Sequence, residues 1–543
     1  MRGFFSIDFE KIYRLPKMVK SMKVRFFFFC SALFAWHAWA YRFDMNPDGI
    51  SYLDLGDIYA VNPADVNAYW NPLYSIILKL FLSALLPLFQ YEVFAVHFTN
   101  WIIALFAAFC FDQLIDSGLA YARKRVKLSV EKETEIRCFG YLVFVSYSLQ
   151  YAAPSLVTPD LLMSAFLYLS LAIFFQAKML DSNIHVFFLG VITALGYLTK
   201  SPFFCLALVF AAMLVVDYQS SQRALLRALI FILAFGIVAG PFIYAISKKE
   251  GHWTIGTSGS FNYSLAVNEE PIRLTAEKIS ADSGIYYFKT AREVTFPLHY
   301  DAPEWADKQR LDFDLNKQTL ALKGGLKNCL GLAMPYFIPL LILAFASWRF
   351  SRKRFIELSI TWLPLGLLGL SGLALYSVIL VQPRYVFSFF ILTGLFFGAV
   401  TFPFFSRTEN SLYDAVLKIL YLLLILSCLR IAINDGRVAW TPGRDHVLQV
   451  AQKIKESGVD NGEIAVAGDR STAYWAYWAR LSKLRITALV EAPLPWQQED
   501  EDAYVRQLKK FPLAAIIAEN KSGNYRHDDW IALGDDLFLK KLK

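Results

Sequence analysis

Charge is scarce in this chain. Asp, Glu, Lys and Arg make up 18% of its 543 residues, against about a quarter in ordinary globular proteins. With 56% hydrophobic and 16% aromatic residues and a mean hydropathy of +0.39, this excludes a water-soluble enzyme on a single anchor. It equally excludes a disordered or fibrous chain. Metal-site and disulfide spacings are missing too. The cysteines (Cys30, Cys110, Cys138, Cys205, Cys329 and Cys428) are scattered, form no CxxC pair and read as small buried hydrophobes. No internal repeat is evident, which disfavours an inverted-repeat transporter. Gly468-Asp469 stands alone without a nucleotide-binding glycine fingerprint, and nothing points to nucleic acid.

What is present is a series of long apolar runs. A membrane-crossing helix needs about 20 mostly apolar residues. Eleven stretches qualify: 24–41, 91–115, 137–153, 159–179, 184–199, 201–217, 224–246, 331–348, 356–380, 385–404 and 412–432. The expectation is a polytopic α-helical membrane protein. The run 72–88 is a further candidate, but it starts at Pro72, carries Lys79 and ends near Pro87. Lys and Arg concentrate on cytoplasmic loops. Eleven spans with the N-terminus inside put Lys11–Arg25, the basic 121–137 loop, Arg223, Arg227, Arg349–Arg354 and Arg407 together on that side. Letting 72–88 cross would reverse the 121–137 loop, so this run is placed as a helix in the outer interface. Ala38-Trp39-Ala40 imitates a signal-peptide cleavage site, but bulky Trp36 and His37 favour a retained first span.

The organisation expected is therefore a basic cytoplasmic N-terminus (1–23), a membrane domain (24–432) with outer loops 41–90 and 247–330, and a soluble outer domain (433–543). In the last, a helix near 445–457, strand 463–467, helix 472–481, strand 485–490, helix 499–509 and strand 514–518 alternate, predicting a small α/β unit with a parallel sheet.

Charged groups at membrane depth or at its edge are functional candidates. Asp48 follows the first span, Asp160 opens the fourth, Lys200 lies between the fifth and sixth, and Arg384 starts the tenth. All four fall at one depth on the outer side. Individually each has a local explanation. Thr158 can cap the helix that Pro159 and Asp160 begin, Lys200 and Arg384 can snorkel, and Asp48 can sit in a turn beside Gly49. Jointly they suit transfer from a lipid-linked phosphate, with Arg and Lys for phosphate oxygens and a carboxylate as general base. Elsewhere the spans read as almost free of ionisable groups, apart from His97 and Lys418 near ends.

The stretches Asp48-Gly49-Ile50-Ser51-Tyr52-Leu53, Trp70-Asn71-Pro72-Leu73-Tyr74, Thr158-Pro159-Asp160-Leu161-Leu162, Tyr197-Leu198-Thr199-Lys200 and Pro383-Arg384-Tyr385 resemble, in order and sidedness, motifs of the integral-membrane glycosyltransferases of the GT-C fold. That group includes protein O-mannosyltransferases, the lipid A aminoarabinose transferase and bacterial relatives of family 39. The resemblance covers 24–432 and leaves out the C-terminal domain. It implies a GT-C-like membrane domain and inverting transfer of a sugar from a polyprenyl-phosphate donor to a lipid, glycan or protein acceptor. The reaction would take place on the outer face of a membrane, with a bacterial inner membrane expected. It also implies Asp48 as catalytic carboxylate, Asp160 as supporting acid, and Lys200 and Arg384 as donor-phosphate ligands. Tyr52, Trp70, Tyr74 and Tyr385, with His252, His299 and Asp301 of the 247–330 loop, are the candidates for substrate contacts. His299 and Asp301 are expected to share one face of an extended stretch after Pro297.

Many relatives carry two adjacent acids where this chain has Asp48-Gly49, and an acid where it has Trp70-Asn71. No cofactor is fixed by these residues, and a divalent cation remains open. Asp54 and Asp57 are expected on a solvated helix face. The rival readings are a transporter or flippase of a lipid-linked saccharide, which would want ionisable groups at mid-membrane depth, and a non-catalytic glycan-assembly protein, which would not need Asp48.

Overall fold

The computed structural model describes residues 17–89, 91–216, 221–279, 284–290, 292–307, 312–405, 411–492, 494–520, 529–534 and 536–542. The bases expected at Lys11, Arg14 and Arg407 lie outside these residues.

The chain enters through α1, Lys17–Ala40. Two short helices follow, each begun by a proline, a residue whose fixed φ suits the first helical position. They are α2, Pro47–Val61, and α3, Pro72–Leu85. At about 1.5 Å per residue neither reaches across about 30 Å of hydrocarbon. They pack on one another instead. A Cβ on Gly56 would lie 2.9 Å from the Ser75 carbonyl oxygen, so the crossing requires glycine, and Lys79 closes the pair with a 2.6 Å bond to Asp57. The run 72–88 is thus a short helix continued by a 3-10 turn, Leu86–Leu88.

The remaining helices are α4, Glu92–Arg125; α5, Val130–Tyr151; α6, Asp160–Leu180; α7, Asn183–Thr199; α8, Phe203–Val216; α9, Ser221–Glu250; α10, Ser258–Ala266; α11, Pro297–Tyr300; α12, Ala302–Trp305; α13, Leu315–Phe350; α14, Arg352–Ser377; α15, Pro383–Thr401; and α16, Ser411–Ala439. Among the described residues, six helices are long and apolar enough to cross a membrane, or seven if the halves of α13, bent by 86°, form one span. The protein is a multi-pass membrane protein. Of the other expected spans, α7 and α8 are apolar but shorter, while α1 and α5 carry charges in their first turns. The last membrane helix runs to Ala439, past the expected boundary at 432.

The spans are less free of charge than the sequence reading held. Asp112 and Asp116, one turn apart on α4, are enclosed by Lys23 and Arg137. Lys23 Nζ lies 2.8 Å from Asp112, and Arg137 Nη2 lies 2.6 Å from Asp116. Lys23 also contacts Asp116. The cluster is internally neutral and ties α1, α4 and α5 together.

The C-terminal region adds α17, His446–Glu456; α18, Arg470–Tyr474; α19, Tyr477–Leu481; and α20, Gln498–Leu508. The strands are β1, Glu277–Lys278; β2, Ile285–Tyr287; β3, Gly462–Ala467; β4, Leu484–Val490; β5, Leu513–Glu519; β6, Ile531–Gly534; and β7, Leu537–Lys541. They form one seven-stranded sheet in the order β1-β2-β4-β3-β5-β7-β6. The three strands read from the sequence are its centre, where β3 pairs in parallel with both β4 and β5. Two features differ. The helix expected over 472–481 is broken at Trp475 and Ala476 into α18 and α19. And β2, from the 247–330 loop, covers the open edge of β4 in antiparallel register, Tyr286 opposite Leu489. An exposed edge of buried apolar strand leaves unpaired backbone groups, and β2 satisfies them. The loop and the C-terminal region therefore share one sheet.

Candidate functional site

The start of α2 is pinned from its flank. Asn46 accepts a hydrogen bond from the Val157 amide at 2.8 Å, which holds Asp48 in the first turn against the stretch leading into α6. Gly49 follows for a steric reason. A Cβ there would stand 2.7 Å from both Met45 Sδ and Val157 Cβ. That contact leaves no room for the second adjacent acid of the resembling motif.

Asp160 is the first residue of α6 and is 1% exposed. Thr158 does not cap this helix; Pro159 occupies the cap position without a side-chain bond. Lys200 follows directly on the last residue of α7 and pairs with Asp160 Oδ1, while Asp160 Oδ2 is buried with no hydrogen-bond partner. The turn carrying Lys200 is fastened by Asn71, whose Oδ1 accepts from Ser201 N at 3.0 Å and Oγ at 2.6 Å. The Asn71 amide donates to the Tyr197 carbonyl at 2.7 Å. Arg384 stands in the first turn of α15, with Nη1 2.8 Å from Asp48 Oδ2. Tyr385 lies between the two cations, its ring centroid 3.9 Å from Lys200 Nζ and 5.1 Å from the Arg384 guanidinium carbon.

The four charged residues expected to converge do so, as two ion pairs bridged by one aromatic ring. Three of them, Asp48, Lys200 and Arg384, line a cavity of about 370 Å³. Tyr52, Trp70 and Tyr385 line it as well. Its further wall is apolar, from Ile255, Leu375, Ile379 and Leu380. Asp160 stands behind Lys200.

His299 joins this group. Its Nδ1 lies 2.7 Å from Ser51 Oγ and its Nε2 3.8 Å from Asp48 Oδ1. Burial lowers the imidazole below its usual value, against the opposing pull of Asp48, so the ring is neutral at pH 7. Asp301 does not join. The stretch after Pro297 is a helical turn rather than extended chain, so the two side chains diverge and Asp301 pairs with Lys249 at 3.2 Å. His252 is exposed, next to the Trp253 carbonyl at 3.2 Å, and is not part of the cavity. Tyr74 is buried behind it, bonded to Asn100 at 2.8 Å, with its ring 5.1 Å from that of Tyr52. It supports the wall without forming it.

Several contributors went unread in the sequence: Ser51, Tyr69, Asn71 and, most of all, Arg480. From α19 this arginine reaches Asp54 at 2.7 Å, Asp57 at 2.9 Å and Glu92 at 2.8 Å. Asp54, expected on a solvated face, is instead 3% exposed and also accepts from the Thr295 amide at 2.8 Å and hydroxyl at 2.9 Å. Burial pushes its carboxyl up to about 6, against the pull of Arg480 and these bonds, so the pair is ionic at neutral pH.

Among the described residues no group of three His, Cys, Asp or Glu side chains is placed to hold a metal ion. Asp48 faces a guanidinium where a metal-binding corner would want a second carboxylate.

No family model matches the chain, and no curated protein does. Solved structures do. ArnT from Cupriavidus metallidurans bound to undecaprenyl phosphate superposes with a TM-score of 0.53 at 12% identity, over 96% of this chain and 98% of that one. Its apo state gives 0.52 at 12% identity, over 97% and 99%. At that identity the likeness is one of fold. The chain has the GT-C fold of this aminoarabinose transferase along almost its whole length.

Proposed function

We propose that the protein is a glycosyltransferase that moves a sugar from a polyprenyl-phosphate donor to a lipid, glycan or protein acceptor on the outer face of a bacterial inner membrane. The observation that carries this reading is the meeting of Asp48, Lys200 and Arg384 on one cavity with an apolar further wall. ArnT, of the same fold, was solved with undecaprenyl phosphate bound.

The donor phosphate would take the place the two carboxylates now hold. Arg384 offers a planar fork and Lys200 a compact charge, and each is held ready by an acid, Asp48 and Asp160. Phosphate binding to Arg384 frees Asp48 to act as base. The acceptor O–H would give its proton to Asp48 while its oxygen bonds to the anomeric carbon. The bond from that carbon to the phosphate oxygen breaks, with the electron pair leaving on the phosphate between Lys200 and Arg384. Attack opposite the leaving group inverts the anomeric centre. Neutral His299, held by its bond to Ser51, stands beside Asp48 without pairing with it. Tyr52, Trp70 and Tyr385 offer ring faces to the sugar. The basic 121–137 loop and Arg349–Arg354 on one side, with the acidic first loop on the other, support a cytoplasmic N-terminus and an outer sheet domain.

The test uses membranes containing the Asp48→Asn protein and a radiolabelled polyprenyl-phosphate sugar. A general base contributes about 10²–10⁴-fold, and a loss on that order is expected. Transfer undiminished relative to the unaltered protein would sink the assignment of Asp48. No transfer by the unaltered protein with any donor would sink the enzymatic reading.

A further inference from the structure

A second cavity, of about 780 Å³, lies at the C-terminal ends of α1, α5 and α16 and shares no lining residue with the first. Its floor is polar and buried. His37 and Asp435 are 5% and 1% exposed, with His37 Nδ1 3.0 Å from Asp435 Oδ2 and His37 Nε2 2.8 Å from Ser155 Oγ. A carboxylate only accepts, so Nδ1 donates to Asp435 and a neutral ring takes the Ser155 proton on Nε2. The other Asp435 oxygen, Oδ1, is buried with no hydrogen-bond partner. An unmatched buried acceptor is costly, and this one belongs to a residue that lines a cavity.

The rim has the opposite charge. Arg430 and Arg437 lie seven residues apart on α16, two turns along one face, and both line the cavity. Both are exposed, and neither makes an ion pair among the described residues. Between and before them Leu426, Leu429 and Ile433 are 50%, 51% and 61% exposed, as side chains turned to lipid are. These arginines end the last membrane helix on the side assigned outside, where the positive-inside rule predicts few bases. Two guanidinium groups without an ion pair among the described residues, above an apolar wall and a buried carboxylate oxygen that lacks a donor, suit phosphate, hydroxyl and hydrocarbon together.

We propose that this cavity binds the headgroup of a phosphate-bearing, hydroxylated lipid. The phosphate sits on Arg430 and Arg437, a headgroup hydroxyl donates to Asp435, and a chain runs along Leu426, Leu429 and Ile433. The site stands apart from the proposed transfer and does not depend on it. It is nonetheless linked to the start of α2 through one short segment. Two residues after Ser155, which touches His37, the Val157 amide donates to Asn46 at the start of α2.

The experiment titrates the full chain in detergent with phosphatidylglycerol, phosphatidic acid and inorganic phosphate, and reads retained lipid by native mass spectrometry. The unaltered protein should retain phosphatidylglycerol more tightly than phosphatidic acid, which lacks the headgroup hydroxyls. Arg430→Gln with Arg437→Gln should weaken both lipids by about tenfold or more, given two charge-assisted contacts. Asp435→Asn, which keeps the shape of the floor, should erase the preference between the lipids while leaving phosphatidic acid bound. Because the two arginines are exposed and make no ion pair among the described residues, their loss should leave the fold intact, and an unchanged thermal midpoint checks this. Equal retention of both lipids by the unaltered protein, or unchanged retention by the arginine variant, would overturn the proposal. So would displacement of the lipid by inorganic phosphate at equal concentration, since the apolar wall would then contribute nothing.

Discussion

Arg480 Nη1 donates to Asp54 Oδ1 at 2.7 Å, joining two residues 426 positions apart. The bond connects α19, beside the sheet, to the middle of α2, the helix whose first turn bears Asp48. The same guanidinium holds Asp57 and Glu92, so one cation fixes α2 against the start of α4.

Replacing Arg480 by Gln should therefore be severe. Removing one partner from a buried ion cluster costs about 3–5 kcal/mol, and here it would leave Asp54 and Glu92 without the arginine, with Lys79 still serving Asp57. Arg480→Lys should recover only part, because an ammonium cannot match the forked contacts. The thermal midpoint of the purified protein checks both, with the order unaltered, Lys, Gln expected. A Gln variant as stable as the unaltered protein would mean that the cluster does not hold α2.

Asp54 gives a pH signature. Its carboxyl is raised from 3.8 to about 6 in the folded protein, so the folded state holds this proton more tightly than the unfolded chain. Its contribution to stability is fully present below 3.8 and is lost as pH rises through about 6. Asp54→Asn should flatten the stability profile in that window. Unfolding midpoints across it, compared for the two proteins, read the difference directly.

His299 acts in the opposite sense. Its folded value lies below 6.5, so its contribution is full above 6.5 and falls away as pH drops through the folded value. In that same fall an imidazolium appears 3.8 Å from Asp48, where it competes for the carboxylate that should accept the acceptor proton. Transfer rates should decline on the acid side, and His299→Gln should shift or remove that limb. Superimposable pH–rate profiles would show that His299 has no such effect.

Gly49→Ala tests placement rather than chemistry. The added Cβ would meet Met45 Sδ and Val157 Cβ at 2.7 Å. Overpacking of this kind costs about 1–3 kcal/mol, and it would push Asp48 off its line with Arg384. Activity should fall further than stability does, as measured by transfer rate against thermal midpoint. Gly56→Ala, where a Cβ would meet the Ser75 carbonyl oxygen at 2.9 Å, should lower stability with a smaller effect on Asp48.

The charged centre was legible in the sequence because charge is expensive in a bilayer. Asp48, Asp160, Lys200 and Arg384 stood out against apolar surroundings, and the structure brings the four together. The parallel strands at 463–467, 485–490 and 514–518 were legible by their alternation with helices. What escaped detection was set by contacts distant in sequence. Nothing near Arg480 announces that its partners are Asp54, Asp57 and Glu92. The strands β1 and β2 are two and three residues long, too short for any periodicity. His299 and Asp301 were placed on one face because extended chain alternates sides, but the turn that Pro297 begins sends them apart. Asp112 and Asp116 were passed over because their apolar neighbours masked them.

The sheet that draws β2 to β4 also imposes an order on biogenesis. Arg470 bonds the Ile272 carbonyl across 198 residues at 3.1 Å, and until β4 has left the ribosome β2 has only the two-residue β1 beside it. A chain halted after α16 would already carry Asp48, Asp160, Lys200 and Arg384, yet α2 would still lack Arg480. The helix that carries Asp48 is thus fastened by a residue made after every membrane-crossing helix among the described residues, which makes docking of the sheet region a step separate from membrane insertion.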